Sequence, residues 1–220
     1  MSHFEELENI MKRLRAEDGC PWDIEQTHES LKICLMEETA EVLEAIDSKE
    51  DDLLLEELGD LLLQVVFHSQ IAMEEKRFSL KDVVKGISEK LVRRHPHVFG
   101  ETNCQDTDAV LTQWEAIKKE EKKEERQSVM DGIPNYLGAL HHAEKAIKKA
   151  KKAELNLSKV EISSDLLAKV KTQTATNDEL TALLFQINNQ ITIQGGHGEE
   201  LLKSYTNQFI DDCRKEEQHG

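Results

Sequence analysis

Glu38 and Glu41 are three residues apart, and so are Glu57 and Asp60. In a helix that spacing puts both members of a pair on one face. The two pairs are also symmetric about Lys49: Glu41 and Glu57 each lie eight residues from it, Glu38 and Asp60 each eleven. If two helices fold back on each other with the tip near Lys49, Glu41 comes level with Glu57 and Glu38 with Asp60. The inner pair then sits about 12 Å from the tip, at 1.5 Å rise per residue. Four converging carboxylates repel one another unless a cation lies among them. A hard divalent ion with oxygen ligands, Mg²⁺ or Mn²⁺, suits such a site.

The neighbours of these acids set them apart from a solvated acidic face, the usual reading in a chain that is 33% charged. Leu31, Leu35, Glu38 and Val42 form one stripe. Leu53, Glu57, Asp60, Gln64, Phe67 and Ile71 form another, also in steps of three and four. This is the seam pattern of packed helices, so the acids occupy positions that should be apolar. Unpaired burial of a carboxylate costs several kcal/mol, on the order of what a bound cation offsets.

The elements that would position these groups are helical throughout. Three Pro and ten Gly in 220 residues leave long stretches without breakers, and 38% apolar with 5% aromatic residues suits helix packing. Residues 3–16 carry a helical period and are broken by Gly19-Cys20-Pro21-Trp22-Asp23. Asp23 or Thr27 is expected to cap a helix running to about Ile46, Asp47–Asp51 is the expected tip, and the next helix runs from about Asp52 to Glu75. That helix carries a second apolar stripe, Leu54, Leu58, Leu61 and Val65, which predicts neighbours on both sides: a bundle and a homodimer. Ser79 caps a further helix ending at Pro96, and residues 108–127 form a last one whose charged end, Lys118 to Arg126, reads as solvated. Asp131-Gly132-Ile133-Pro134 marks a boundary, dividing the chain into 1–127 and 128–220.

The second part reads as a worn copy of the first. Glu57–Val65 aligns with Glu179–Ile187, but Asp60 becomes Ala182 and no acidic cluster precedes it within Glu161–Asn177. Where the first part has Lys90-Leu91-Val92-Arg93-Arg94, the second has Gln208-Phe209-Ile210-Asp211-Asp212.

Net charge is −16, which repels nucleic acid and anionic membranes, so an anionic ligand needs a local basic cluster or a metal. Lys90, Arg93 and Arg94 supply such a cluster on one helix face, suited to phosphate oxygens. Trp114 and Lys118, spaced i, i+4, can stack a base or sugar and hold a phosphate; a core aromatic is the plainer role for Trp114. His95 and His97 read as turn residues beside Pro96. The four cysteines are scattered without a CxxC pair, as expected of a reducing cytoplasm. No signal peptide or membrane-length apolar run is expected. Acids for a metal and bases for phosphate point to phosphate-ester or anhydride chemistry.

Over about residues 5–125 the chain closely resembles the MazG family of nucleoside triphosphate pyrophosphohydrolases. The motifs are Gly-Cys-Pro-Trp-Asp at 19–23, Glu-Glu-Thr-Ala-Glu at 37–41, Glu-Leu-Gly-Asp at 57–60, Arg-Arg-His-Pro-His-Val-Phe at 93–99 and Trp-Glu-Ala-Ile-Lys at 114–118. The resemblance implies an all-α, Mg²⁺-dependent, usually dimeric enzyme that cleaves NTPs or dNTPs to the monophosphate and pyrophosphate. It implies Glu38, Glu41, Glu57 and Asp60 as metal ligands, and Lys90, Arg93, Arg94, Trp114 and Lys118 as nucleotide-binding positions. One of the carboxylates, Glu37 or Glu41, would orient or deprotonate the attacking water. Longer family members carry two repeats, in some of which the second is catalytic; here the first must carry any activity. A non-catalytic nucleotide sensor or scaffold, and a dUTPase-like or phosphoribosyl-ATP pyrophosphohydrolase of the same superfamily, stay open as alternatives. Base and sugar preference are not legible.

Overall fold

A computed structural model describes residues 2–102, 104, 106–123, 128–155 and 164–219, with the side chains of 211 and 213–219 outside that description. Arg126, Gln127, Glu161 and the Asp211 and Cys213 side chains of the sequence reading therefore lie outside the described residues. The described chain is all-α. It divides into two compact units, Met1–Lys118 and Lys119–Gly220.

In the first unit α1 (His3–Leu14), α2 (Pro21–Glu25), α3 (Lys32–Ser48), α4 (Asp51–Glu74), α5 (Leu80–Arg94), α6 (Pro96–Phe99) and most of α7 (Thr107–Glu121) follow in order. Helix α4 is the centre: α1, α3 and α5 all pack on it. Capping boxes start two of these helices. Ser2 accepts from the Glu5 N–H and Ser79 from the Asp82 N–H, each acid returning a bond to the cap. Met11, Leu31, Val66, Phe67, Ile71 and Leu80 form the buried core.

The expected start of α3 is corrected. Asp23 belongs to the separate five-residue helix α2, and Thr27 opens a turn rather than the helix. Thr27 and Ser30 exchange side-chain bonds to each other's backbone N–H at 2.9 and 3.1 Å, closing a single turn, and regular α3 runs from Lys32. The tip is shorter than expected. Lys49 takes a left-handed φ of 61° and its N–H caps Ala45 O, so α4 begins at Asp51. The fold-back thus centres on Lys49.

The α1–α2 turn needs Gly19, because a Cβ there would lie 2.2 Å from Leu14 O. Arg15 then fastens the turn to α4. Its side chain is 7% exposed, forks onto Glu74 at 2.7–3.1 Å, donates to Gln26 O at 3.1 Å and to Asp23 O, and lies over the Phe67 ring at 5.4 Å. The hydrogen bond from Arg15 holds the Glu74 carboxyl below its ordinary range, against the opposing effect of burial.

His28 makes a second link to α4. Its ring stacks on His68 with centroids 5.0 Å apart and an interplanar angle of 3°, and the two Nδ1 atoms are 2.7 Å apart. The second apolar stripe of α4 remains open in the single chain: Leu58 is 49% and Val65 39% exposed.

The second unit repeats the plan with α8 (Ala139–Lys152), α9 (Ser164–Lys171), α10 (Asn177–Ile193) and α11 (Gly198–His219). Here α8, α9 and α11 all pack on α10. Glu199 of α11 accepts from the Leu140 and His141 N–H groups at 3.0 and 3.2 Å, satisfying free donors at the start of α8. Glu144 is buried. Burial alone would raise its carboxyl, but hydrogen bonds from Lys148 and His197 outweigh it and hold the group below its ordinary range.

Burial, then the neighbouring His28, pushes the His68 imidazole below its unfolded value of 6.5. A histidine held neutral contributes stability that is present above its unfolded pKa and lost as pH falls toward the folded one. In thermal melts from about pH 8 to about pH 5, Tm is expected to fall once pH drops below 6.5, and His68→Phe to flatten that limb. Parallel curves for the two proteins would place the dependence elsewhere.

Candidate active site

The fold-back of α3 on α4 brings acids from both helices to one place. Ligand oxygens of Glu38, Glu41 and Glu57 all lie within 4.8 Å of one another. Glu38 and Glu57 are half-buried and Glu41 is exposed, so the cluster opens to solvent on one side. The sequence reading placed all four acids in the seam, where the structure leaves them half-buried or exposed although Val42 and Ala45, nearer the tip, are buried. Asp60 is half-buried and its charge reaches the cluster. Burial, then Asp60, then Glu41 raise the Glu38 carboxyl above its usual range. Burial, then Glu41, Glu56 and Asp60, do the same for Glu57. Glu37 is exposed and is not one of the three converging acids.

The donor set fits a hard divalent cation. The ligand oxygens of Glu38, Glu41 and Glu57, all within 4.8 Å of one another, are close enough for three carboxylates to share one such ion. A cation would also relieve the like-charge repulsion that raises Glu38 and Glu57.

Sequence reasoning missed one residue of this site. Gln64, 4% exposed and one turn beyond Asp60, donates from Nε2 to Glu38 Oε1 at 3.4 Å. Its signal was an amide one turn beyond Asp60 in the stripe that carries the acids.

The basic residues divide. Lys90 and Arg93 are exposed at the end of α5, whereas Arg94 is 6% exposed. The Arg94 guanidinium stands 5.0 Å from the Trp114 ring centroid, and the Lys118 ammonium stands 5.1 Å from the same centroid. Trp114, half-buried, is therefore flanked by two cations rather than enclosed in an apolar core. His95 joins α5 to α6 as expected of a turn residue and bonds Leu91 O at 2.7 Å, whereas His97 belongs to the short helix α6 and bonds Gln113 at 3.3 Å.

The corresponding place in the second unit has opposite electrostatics. Glu179, aligned with Glu57, forms the capping box of α10 with Thr176 and an ion pair with Lys169 of α9 at 2.6 Å. The Lys169 hydrogen bond holds its carboxyl below the ordinary range. Ala182, aligned with Asp60, is exposed. Where α3 offers α4 two carboxylates, α9 offers α10 an ammonium.

Comparison with known proteins gives a consistent answer. The MazG nucleotide pyrophosphohydrolase domain matches residues 26–99. The chain is 41% identical over 222 residues to the nucleoside triphosphate pyrophosphohydrolase/pyrophosphatase MazG of Thermotoga maritima, covering 98% of this chain and 86% of that one. It is 48% identical over 151 residues to the nucleoside triphosphate pyrophosphohydrolase of Escherichia coli, covering 68% of this chain and 57% of the relative. It is 51% identical over 145 residues to the uncharacterized protein YabN of Bacillus subtilis, of whose length it spans 30%.

The electrostatics predict the behaviour of a neutralised ligand. Raised carboxyls such as Glu38 and Glu57 favour folding at low pH and oppose it as pH rises through their folded values. Glu41→Gln removes a charge acting on both. Without divalent ions it is expected to raise Tm at neutral pH, with the gain shrinking as pH falls toward 4.5, and to abolish the rise in Tm that Mg²⁺ gives the wild type. Calorimetric melts with and without Mg²⁺ test this; a variant still stabilised like the wild type removes Glu41 from the ligand set.

Proposed function

The chain belongs to the MazG nucleotide pyrophosphohydrolase family, and on that premise we propose that it hydrolyses nucleoside triphosphates, NTPs or dNTPs, to the monophosphate and pyrophosphate. The observation that carries the reading is the meeting of Glu38, Glu41 and Glu57 from two antiparallel helices within 4.8 Å. Asp60 completes the ligand set. The bound Mg²⁺, or Mn²⁺ in its place, supplies Lewis-acid polarisation of phosphate oxygens.

The remaining steps belong to the protein's own groups. Glu41, or Glu37 beside the cluster, orients the attacking water and accepts its proton. Lys90, Arg93 and Arg94 neutralise charge on the departing pyrophosphate. Trp114, held between Arg94 and Lys118, offers a flat face to a base or sugar, and Lys118 a charge to a phosphate. Reaction is confined to residues 1–127; residues 128–220 are a degenerate repeat that packs or dimerises and binds neither metal nor triphosphate. The support for that division is the Glu179–Lys169 pair at the position of Glu57. The chain acts as a homodimer, with the open stripe of α4 at Leu58 and Val65 in the interface, in the cytoplasm and without nucleic acid or membrane as partner. Among the described residues no helix is long and apolar enough to cross a membrane.

The decisive experiment is a Mg²⁺-dependent assay over a panel of NTPs and dNTPs with chromatographic product analysis. Monophosphate plus pyrophosphate is expected from every substrate turned over. Diphosphate plus orthophosphate would overturn α–β cleavage, and no turnover would favour a nucleotide sensor.

The two aligned glutamates separate the units. Glu57→Gln is expected to lose at least about 100-fold in kcat, as removal of a metal ligand does. Glu179→Gln should leave kcat within about twofold and lower Tm through the weakened cap. A kinetic loss in Glu179→Gln comparable to that of Glu57→Gln would refute the division of labour.

A further inference from the structure

In the first unit two buried side-chain atoms have no hydrogen bond among the described residues: Gln64 Oε1 and His68 Nε2. Both belong to α4 and are spaced i, i+4, so they stand on one helix face with Cβ atoms about 5–6 Å apart. Leaving either unsatisfied in the interior is unfavourable, and each one's chemical character is fixed by what its other end touches.

For Gln64 the amide nitrogen faces Glu38 Oε1 at 3.4 Å. Only the N–H end of an amide can face a carboxylate, so the buried atom is the carbonyl oxygen, an acceptor. For His68 the argument starts at Arg77. The Arg77 guanidinium contacts His28 Nε2, and a guanidinium only donates, so His28 accepts there and carries its hydrogen on Nδ1. That Nδ1–H points at His68 Nδ1, 2.7 Å away. His68 Nδ1 must accept, so His68 carries its hydrogen on Nε2. The two unsatisfied atoms are thus one donor and one acceptor, adjacent on the same face.

We propose that a single buried water joins His68 Nε2 to Gln64 Oε1, completing a relay from Arg77 through His28, His68 and Gln64 to Glu38 that aims this carboxylate into the acidic cluster. The water accepts from His68 and donates to Gln64. Every donor in the chain points toward Glu38, with the Arg77 guanidinium, itself paired with Glu75 at 2.6 Å, at the far end, so the aligned hydrogen bonds support negative charge on that carboxylate. Gln64 and His68 are positioning residues: they act on a ligand of the divalent ion, as outer partners of metal ligands do. The inference rests on the metal reading given under Proposed function.

The relay is tested first without metal. Long-range ¹H–¹⁵N correlation spectra of the wild-type protein above about pH 7.5 should show His28 protonated on Nδ1 and His68 on Nε2. His68 protonated on Nδ1 would overturn the relay outright, whatever the variants do. Calorimetric titration with Mn²⁺ or Mg²⁺ then reads the positioning role. Gln64→Leu and His68→Leu should each weaken binding about 10-fold. The double variant should be no weaker than about either single one, because both break one chain. His68→Gln, which keeps an N–H donor, should recover most of the affinity. Losses that multiply in the double variant, or an unchanged affinity in folded His68→Leu, would overturn it. A wild-type protein that takes up no divalent ion would overturn the metal reading and with it the positioning role, while the tautomers alone would decide whether the chain of hydrogen bonds exists.

Discussion

The pairing of α3 with α4 has to hold carboxylates together that repel one another. Glu38, Glu41 and Glu57 converge near the tip, and both half-buried members carry raised carboxyls. Nothing in that contact favours closure by itself. The closing force comes from either side of it. Val42 and Ala45 are buried next to the acids on α3, and Leu31, Phe67 and Ile71 are buried beyond them. Fully burying one such large apolar side chain stabilises by about 1.5–3 kcal/mol. A few of them outweigh the repulsion of partly solvated charges, which water screens heavily. The apolar ends of the seam thus hold the carboxylates together, close enough for one divalent cation to be shared among them.

Around that seam, buried charge is used as fastening. Arg15 spends its fork on Glu74 and its remaining donors on two backbone carbonyls, so one side chain ties the α1–α2 turn to α4. The Arg15 side chain is buried while Glu74 reaches the surface, so removing the Glu74 carboxylate would leave a buried guanidinium without its charge partner. The turn so fastened leads directly into the segment carrying His28, and His28 returns to α4 at His68. Two polar links therefore hold the entry to α3 in register with α4. A slip of one residue in that register would rotate Glu38 away from Glu57.

How far the sequence reveals this depends on the range of the interaction. The fold-back about Lys49 was legible because it follows from spacing along two adjacent helices. The start of α3 was not, because Asp23 and Thr27 both have cap chemistry: Asp23 falls within the separate α2, and Thr27 closes a turn with Ser30 ahead of the regular helix. Lys90, Arg93 and Arg94 share a face in sequence, but the burial of Arg94 over Trp114 depends on where α7 lies. His28 and His68 are 40 residues apart, and no local pattern signals that their rings meet. Gln64 had a visible signal, an amide one turn beyond Asp60 in the acid-bearing stripe, and reads as a packing residue until its neighbour Glu38 is seen. The Thr176–Glu179 capping box was also legible, as a Thr followed three residues later by Glu.

That box fastens a helix of the second unit at the position where the first unit gathers acids. In the second unit the helix contacts recur, α8, α9 and α11 on α10, and Gln186 is buried where Gln64 is. What changes is the sign of the partner. Glu179 sits at the first turn of its helix, where a negative charge is favourable, and takes an ammonium from α9. Glu57 lies well inside α4, beyond the reach of a helix end, and takes further carboxylates from α3. A neutralised seam closes without help and has no use for a cation. A like-charged seam keeps a standing demand for one, and that demand is what binding energy can be drawn from. The two units thus show similar helix contacts under two electrostatic regimes, and the proposed chemistry is assigned to the seam that remains unneutralised.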